Sequence, residues 1–340
     1  MKIMKEATDF ASYLTRFFSE YMAGIRNLSH NTITGYRDTF KLLLLFCNDV
    51  RKIKTGKLTI SMIDDNLIIY FLNWLQHERK CSIPTRNQRL AAIHAFFRYL
   101  QAQEPEYLYS CQKILIIPFK KCPKAVIQHL TPVQISLLLK QPNVKTKSGR
   151  RDVTLLSVLY DTGARVQEVC DLRVRDIRIE KPPHITITGK GSKSRYVPLL
   201  GNTTNLLHGY MNENNLSGNG KQDMPLFYNQ RRSSLTRGGI SYILQKYVNK
   251  ASSEWPDFPG KVTPHMLRHS KALHLLNAGI NVVLIRDILG HESIQTTNTY
   301  IKVDIEEKRK TLESVYPNII PESLPDWSKD DNLLSFLEKL

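Results

Sequence analysis

Between residues 113 and 132 the chain reads KILIIPFKKCPKAVIQHLTP, a stretch that constrains everything around it. Pro118, Pro123 and Pro132 each remove a backbone donor and oppose helix, while Lys113, Lys120, Lys121 and Lys124 load the segment with positive charge. It reads as an extended basic linker. A chain of 340 residues exceeds the common single-domain size, so two bodies with separate cores are expected on either side. The expected boundaries are 1–112, a linker at 113–128, a second domain at 129–320 and a tail at 321–340.

Before the linker the pattern is helical only. Phe10, Leu14, Phe17 and Tyr21 recur at the helical period, and TITGYRDTFKLLLLFC continues it behind the cap-like Ser29 and Asn31. DDNLIIYFLNWLQHERK and RNQRLAAIHAFFRYLQAQ complete a bundle of about four amphipathic helices. After the linker, Thr131 caps the helix PVQISLLLKQ, and VTLLSVLYDTGARVQEVCDL is helical but broken at Gly163. Three β-branched runs, DIRIE, HITITG and SRYVPLL, with the turn-rich GKGSK, predict a small antiparallel sheet. Thr236 caps a further helix, RGGISYILQKYVNKA, and residues 263–300 return to helix. The fold class is therefore mainly α with a small antiparallel β-sheet: a helical bundle followed by a mixed α+β domain.

Forty-eight Lys and Arg against 31 Asp and Glu give a formal charge of +17, which favours a polyanionic partner. An anionic membrane is the weaker choice: the longest apolar runs, LLLLFC and LIIYFL, are far too short to span a bilayer, and the N-terminus lacks a secretory apolar region. Cys47, Cys81, Cys111, Cys122 and Cys170 are odd in number and form no CxxC pair, which fits a reducing cytoplasm rather than a disulfide framework or zinc ribbon.

The chemistry concentrates in four stretches. TPHMLRHSKALHLLNAG puts His265, Arg268 and His269 on one helix, with His265 and Arg268 on one face. His265 and His269 have zincin spacing, but Met266 stands where that motif needs Glu, so no metal site is expected. TGARVQEVCDL places Arg165 and Glu168 on a shared face just past Gly163, where Glu168 can hold the guanidinium or a neighbouring backbone group. GKGSKSR sets Lys190 in a glycine-flanked turn, and ILGHESIQTTNTY carries His291 and Tyr300. Each stretch alone is ordinary surface, turn or anchor chemistry; an exposed Arg–Glu pair contributes little. The ordered set of all four is far more restrictive.

With that set, the basic linker and the bundle motif SHNTITGYRDTF, the sequence resembles the tyrosine recombinase family of phage integrases and Xer-like enzymes over nearly its whole length. The resemblance implies an N-terminal SAM-like core-binding bundle and a tyrosine-recombinase catalytic domain. It implies that Arg165 and Arg268 contact the non-bridging phosphate oxygens, that Lys190 is the hairpin lysine acting as general acid, with Lys193 as the local alternative, and that His265 and His291 bond the phosphate and assist proton transfer. Tyr300 is then the nucleophile and Glu168 the buttress of the first arginine, with His269 structural. Ala164 and Gln167 depart from residues common in relatives without touching the chemistry.

Two guanidinium forks suit this role because the five-coordinate phosphoryl transition state gathers negative charge on its oxygens. Attack by tyrosine forms a 3'-phosphotyrosyl link and conserves the bond energy, so neither ATP, metal nor other cofactor is expected. The adjacent pairs Asp64, Asp65 and Asp330, Asp331 read as solvated helix ends rather than a two-metal site. A non-catalytic sequence-specific DNA-binding protein of the same fold is the alternative, and a type IB topoisomerase a distant third. The implied partner is double-stranded DNA at a specific site, bound by a homo-tetramer, with a second recombinase as an option, in a nucleoid-associated cytoplasmic setting. Lys120, Lys121, Lys124, Lys193 and Arg237 are the candidate DNA contacts, and Leu333, Leu334, Leu337 and Leu340 give the acidic tail an apolar patch for docking on itself or on a neighbouring protomer. Because the charge excess drives binding through counterion release, the logarithm of DNA affinity is expected to fall linearly and steeply with the logarithm of salt concentration in a titration; a salt-independent affinity contradicts this reading.

Overall fold

The computed structural model describes residues 7–122, 128–189, 193–218 and 220–290. The chain divides into two compact units, Met1–Ala125 and Val126–Leu340.

In the first unit, α1 (Asp9–Arg16) starts at Thr8, whose hydroxyl accepts the Ala11 N–H. The chain then widens into a π-helix, Phe17–Ile25, closed by an Arg26 N–H bond to the Tyr21 carbonyl at 2.8 Å. This differs from the uniform α period expected for Phe10, Leu14, Phe17 and Tyr21. Phe10 and Phe17 are buried, but the wider turn carries Met22 inward and leaves Leu14 and Tyr21 half-buried. Three longer helices follow: α2 (His30–Asp49), α3 (Asp65–His77) and α4 (Ile83–Gln103), with N-caps supplied by Ser29, Asp64 and Ser82. Asp64 is thus a cap, and Asp65 begins the first turn of α3.

The core of this unit is aromatic. Phe17, Phe40 and Phe96 meet edge to face, with ring centroids 5.4 Å apart for Phe17 and Phe96 and 5.3 Å for Phe40 and Phe96. Arg89 of α4 reaches α2, donating to the Gly35 carbonyl at 2.9 Å and the Thr39 hydroxyl at 3.1 Å. A further helix, α5 (Leu108–Leu115), corrects one expectation. The segment from Lys113 was expected to be extended, yet it begins inside this helix, and Ile114 and Ile117 lie in the core. Apolar anchoring, with the His94 imidazole bonded to the Ile114 carbonyl at 3.1 Å, prevails until Pro118. Lys120 is held as well: its N–H and carbonyl pair with the Asn87 side chain of α4 at 3.1 and 2.8 Å.

The second unit opens with α6 (Pro132–Lys140), whose Thr131 and Gln134 form a reciprocal capping box. Helix α7 (Lys147–Thr162) threads the core and stops at Gly163, which adopts φ 58°. Helix α8 (Val166–Asp171) follows at once. The sheet is antiparallel in the order β1 (Ile177–Arg178), β2 (His184–Thr188), β3 (Ser194–Pro198). Its register sets Ile185 against Val197 and Ile187 against Arg195. Then come α9 (Gly201–Glu213), absent from the sequence reading, α10 (Arg237–Glu254), α11 (Pro264–Asn277) and α12 (Val282–Leu289). No helix among the described residues is long and apolar enough to cross a membrane.

Because the first unit rests on interlocked rings, Phe96→Ala is expected to destabilise it by about 3–5 kcal/mol. Denaturant unfolding followed by fluorescence of Trp74, which lies in this unit, measures the loss; a change below about 1 kcal/mol refutes the aromatic core as its main support.

Candidate active site

Helix α7 must end where it does. A Cβ added to Gly163 would lie 2.5 Å from the Leu289 side chain, and the left-handed backbone there already favours glycine. The turn therefore brings the end of α7 against the end of α12. Between these two helix ends lies Arg268 of α11, which donates to the Gly163 carbonyl and to the Leu289 carbonyl, both at 2.7 Å. Carbonyls at helix C-termini are unsatisfied and carry partial negative charge, so two converging C-termini make a seat for a cation. Arg268 is only 4% exposed.

Arg165 stands two residues beyond Gly163, at the start of α8. Its guanidinium donates to the Glu168 carboxylate at 2.8 Å and to the Gly290 carbonyl at 3.2 Å. Glu168 in turn accepts the Arg165 backbone N–H at 2.9 Å. Both roles expected of Glu168, holding the guanidinium and holding backbone, occur together. The two arginines thus bracket the same pair of backbone turns, one bonded to Leu289 and the other to its neighbour Gly290. Unlike Arg268, the Arg165 side chain is 39% exposed.

A residue absent from the sequence reading completes this cluster. Arg195 of β3 forms a two-pronged bond to Glu168, at 3.2 and 2.7 Å, and donates its Nε to the Ile288 carbonyl at 2.9 Å. The sequence signal for it is incomplete: residues 195 and 197 share one phase of β3, and only when the fold shows that phase to be inward does an arginine there demand a buried partner. Burial by itself would raise the pKa of Glu168, but hydrogen bonds from Arg195 and from Arg165 outweigh it and hold the carboxyl below the usual range.

Behind the arginines, Lys271 of α11 pairs with Asp161 of α7 at 3.0 Å, and both side chains are nearly buried. Lys271 also lies over the Tyr160 ring, whose hydroxyl meets His274 at 2.8 Å. These contacts lock α7 to α11.

The remaining candidates separate. His265, although one turn from Arg268, is exposed where Arg268 is buried, so the shared face expected of them runs from the interior to the surface. His269 is half-buried, with its ring 6.4 Å from that of His265. Burial, then the charges of His265 and Arg268, lower its pKa, which keeps it neutral near pH 7. Gly189 lies against the site, since a Cβ there would stand 3.2 Å from the Glu168 carboxylate. The adjoining Lys190 lies outside the described residues, as do His291, Tyr300, Lys124, Asp330, Asp331 and the whole tail. Lys193 is exposed and its carbonyl accepts the Gly189 N–H at 2.9 Å. Lys120 and Lys121 are exposed in the first unit, and Arg237 is exposed at the first turn of α10 in the second. Among the described residues no three His, Cys, Asp or Glu side chains are grouped as metal ligands.

A depressed folded-state pKa has a definite consequence. The stabilisation from ionised Glu168 is complete above the unfolded value of about 4.3 and vanishes as pH falls through the lower folded value. Glu168→Gln strands two guanidiniums and is expected to cost about 3–5 kcal/mol at pH 7, a gap that narrows as pH falls through the depressed folded value and the wild-type carboxylate protonates. Unfolding curves of both proteins across this range measure it; a gap independent of pH refutes the ionised cluster.

Comparison with known proteins places this arrangement. The phage integrase family matches residues 128–307, and the phage integrase N-terminal SAM-like domain matches residues 15–104. A Sinorhizobium fredii protein assigned as an integrase/recombinase, y4rC, is 36% identical over 99% of this chain and 100% of its own length. Tyrosine recombinase XerC of Bacillus pumilus is 30% identical over 91% of this chain and 98% of its own. Among solved structures, the XerH site-specific recombinase bound to palindromic difH substrate superposes with a TM-score of 0.66 at 25% identity, covering 85% of this chain and 80% of that one. With two domain matches in order and relatives aligned end to end, the chain belongs to the phage integrase family and is a tyrosine recombinase, an enzyme of site-specific DNA recombination.

Proposed function

We propose that this enzyme cleaves and rejoins DNA strands at a specific site through a 3'-phosphotyrosyl intermediate. The observation that carries the reading is the convergence of Arg165 and Arg268 on the adjoining turns at Gly163 and at Leu289–Gly290. Two forked cations beside one backbone cradle suit a single phosphodiester, because each fork offers paired donors to the non-bridging oxygens as charge accumulates there.

In this mechanism the Tyr300 phenolic oxygen attacks the scissile phosphorus. The P–O5' bond breaks, and Lys190 gives its proton to the departing 5'-oxygen. His265 takes the phenolic proton or relays it, and His291 donates a hydrogen bond to the phosphate. Surrounding cations favour the phenolate over the neutral form. Rejoining reverses these steps with the 5'-hydroxyl of another strand as nucleophile, so no ATP, metal or cofactor enters. Exchange between two duplexes calls for four such cuts and hence for a homo-tetramer on double-stranded DNA, with or without a second recombinase. Lys120, Lys121, Lys124, Lys193 and Arg237 are assigned to backbone contacts, the segment from Pro118 to residue 128 to the connection between core-binding and catalytic domains, and the tail beyond 320 to docking on a neighbouring protomer.

A nicked suicide duplex that traps the intermediate tests this reading. Wild-type protein is expected to form a gel-resolved covalent adduct unaffected by EDTA. Tyr300→Phe is expected to form none, and Arg268→Lys to react on the order of a hundredfold more slowly because lysine lacks the planar fork. Binding without any wild-type adduct overturns the proposal in favour of a non-catalytic DNA-binding protein.

A further inference from the structure

Arg195 occupies a place where an aliphatic side chain would be ordinary. It faces Ile187, which is fully buried, shares its strand face with buried Val197, and keeps a side-chain exposure of only 13%. Taking a guanidinium out of water at such a position is costly unless it is fully engaged. Its engagements are specific: both terminal nitrogens go to Glu168 and Nε goes to the Ile288 carbonyl.

Glu168 is consequently a shared anion. Its two oxygens receive the Arg165 N–H and guanidinium together with both terminal nitrogens of Arg195. Charge counting then separates two situations. Arg165 with Glu168 alone is a neutral pair, and a phosphate approaching it meets little net attraction. With Arg195 included the cluster carries one net positive charge, and of the two guanidiniums it is Arg165 that is exposed at 39% against 13%. Arg195 also packs on Gly290, where an added Cβ would come within 2.8 Å of its terminal nitrogen, so the same side chain fixes the end of α12 just before His291.

We propose that Arg195 is a positioning residue that neutralises the buried charge of Glu168, so that Arg165 is oriented by this carboxylate yet remains cationic toward the scissile phosphate. The assignment rests on reading Arg165 as a phosphate ligand.

The test is single-turnover cleavage of the nicked suicide duplex at saturating protein, with DNA affinity and thermal unfolding recorded for each variant. Arg195→Met is expected to slow adduct formation about tenfold to a hundredfold while DNA affinity changes less than about threefold, since one phosphate among many carries little of the binding. Arg195→Lys, which retains the charge, is expected to recover most of the rate. Arg195→Gln, which retains donors without charge, is expected to react as slowly as Arg195→Met. Adding Glu168→Gln to Arg195→Met removes the unshared anion and is expected to raise the rate above that of Arg195→Met alone. A merely structural tie predicts the reverse for the last two, with Arg195→Gln matching Arg195→Lys and the double variant slower still; either result overturns the assignment, as does an Arg195→Met protein that cleaves at the wild-type rate. Should Arg195→Met fail to fold, the contrast between Arg195→Lys and Arg195→Gln decides. A wild-type protein that binds DNA but forms no adduct overturns the proposed function and this assignment together, whereas an active wild type with an unaffected Arg195→Met overturns this assignment only.

Discussion

One buried carboxylate organises the catalytic unit. Glu168 is taken almost wholly out of water and is stable there as an anion only because two guanidiniums and a backbone N–H surround it. Those partners come from different parts of the chain: the start of α8, strand β3 and, through Arg195 and Arg165, the carbonyls of Ile288 and Gly290 at the end of α12. Loss of the carboxylate would set two cations side by side with no counter-charge, so the helix turn, the sheet and α12 are bound to one another through a single ionised group.

Helix termini supply the rest. Gly163 and Gly290 both adopt the left-handed conformation, which ends α7 and α12 abruptly and turns their last carbonyls toward Arg268 and Arg165. Neither glycine tolerates a side chain, because Leu289 presses on one and Arg195 on the other. Steric exclusion at two positions therefore sets where the arginines stand, and the Lys271–Asp161 pair behind them keeps α7 and α11 from sliding apart.

Much of this was legible in one dimension. Thr131, Thr236 and Ser29 announced helices through local capping chemistry, and the β-branched content of HITIT and SRYVP beside a turn-rich GKGSK announced strands. Arg165 and Glu168 were readable as a pair because three residues of helix bring them together wherever the helix lies. Local rules failed where packing overrode them. Phe17 opens a π-helix and packs its ring on Phe40 of α2 and on Phe96 and Tyr99 of α4, contacts that no local period encodes, and α5 runs into the expected linker because Ile114 and Ile117 find a core that no neighbouring residue reveals. Arg195 escaped notice for a related reason: an arginine four positions from a glycine-rich turn reads as surface until the strand's phase and its opposite face are known.

The sequence by itself determined the two-part division, the helical and strand periodicities, and the ordered set of chemical groups, since these depend on residue type and on spacing within a single element. Only the tertiary structure decided that Arg165 and Arg268 adjoin, that His265 is exposed while Arg268 is buried, and that Glu168 answers to Arg195 as well as to Arg165. The reason is physical: the desolvation of a charge, and hence whether it must be paired, is set by neighbours distant along the chain, and no local pattern encodes which of them arrives.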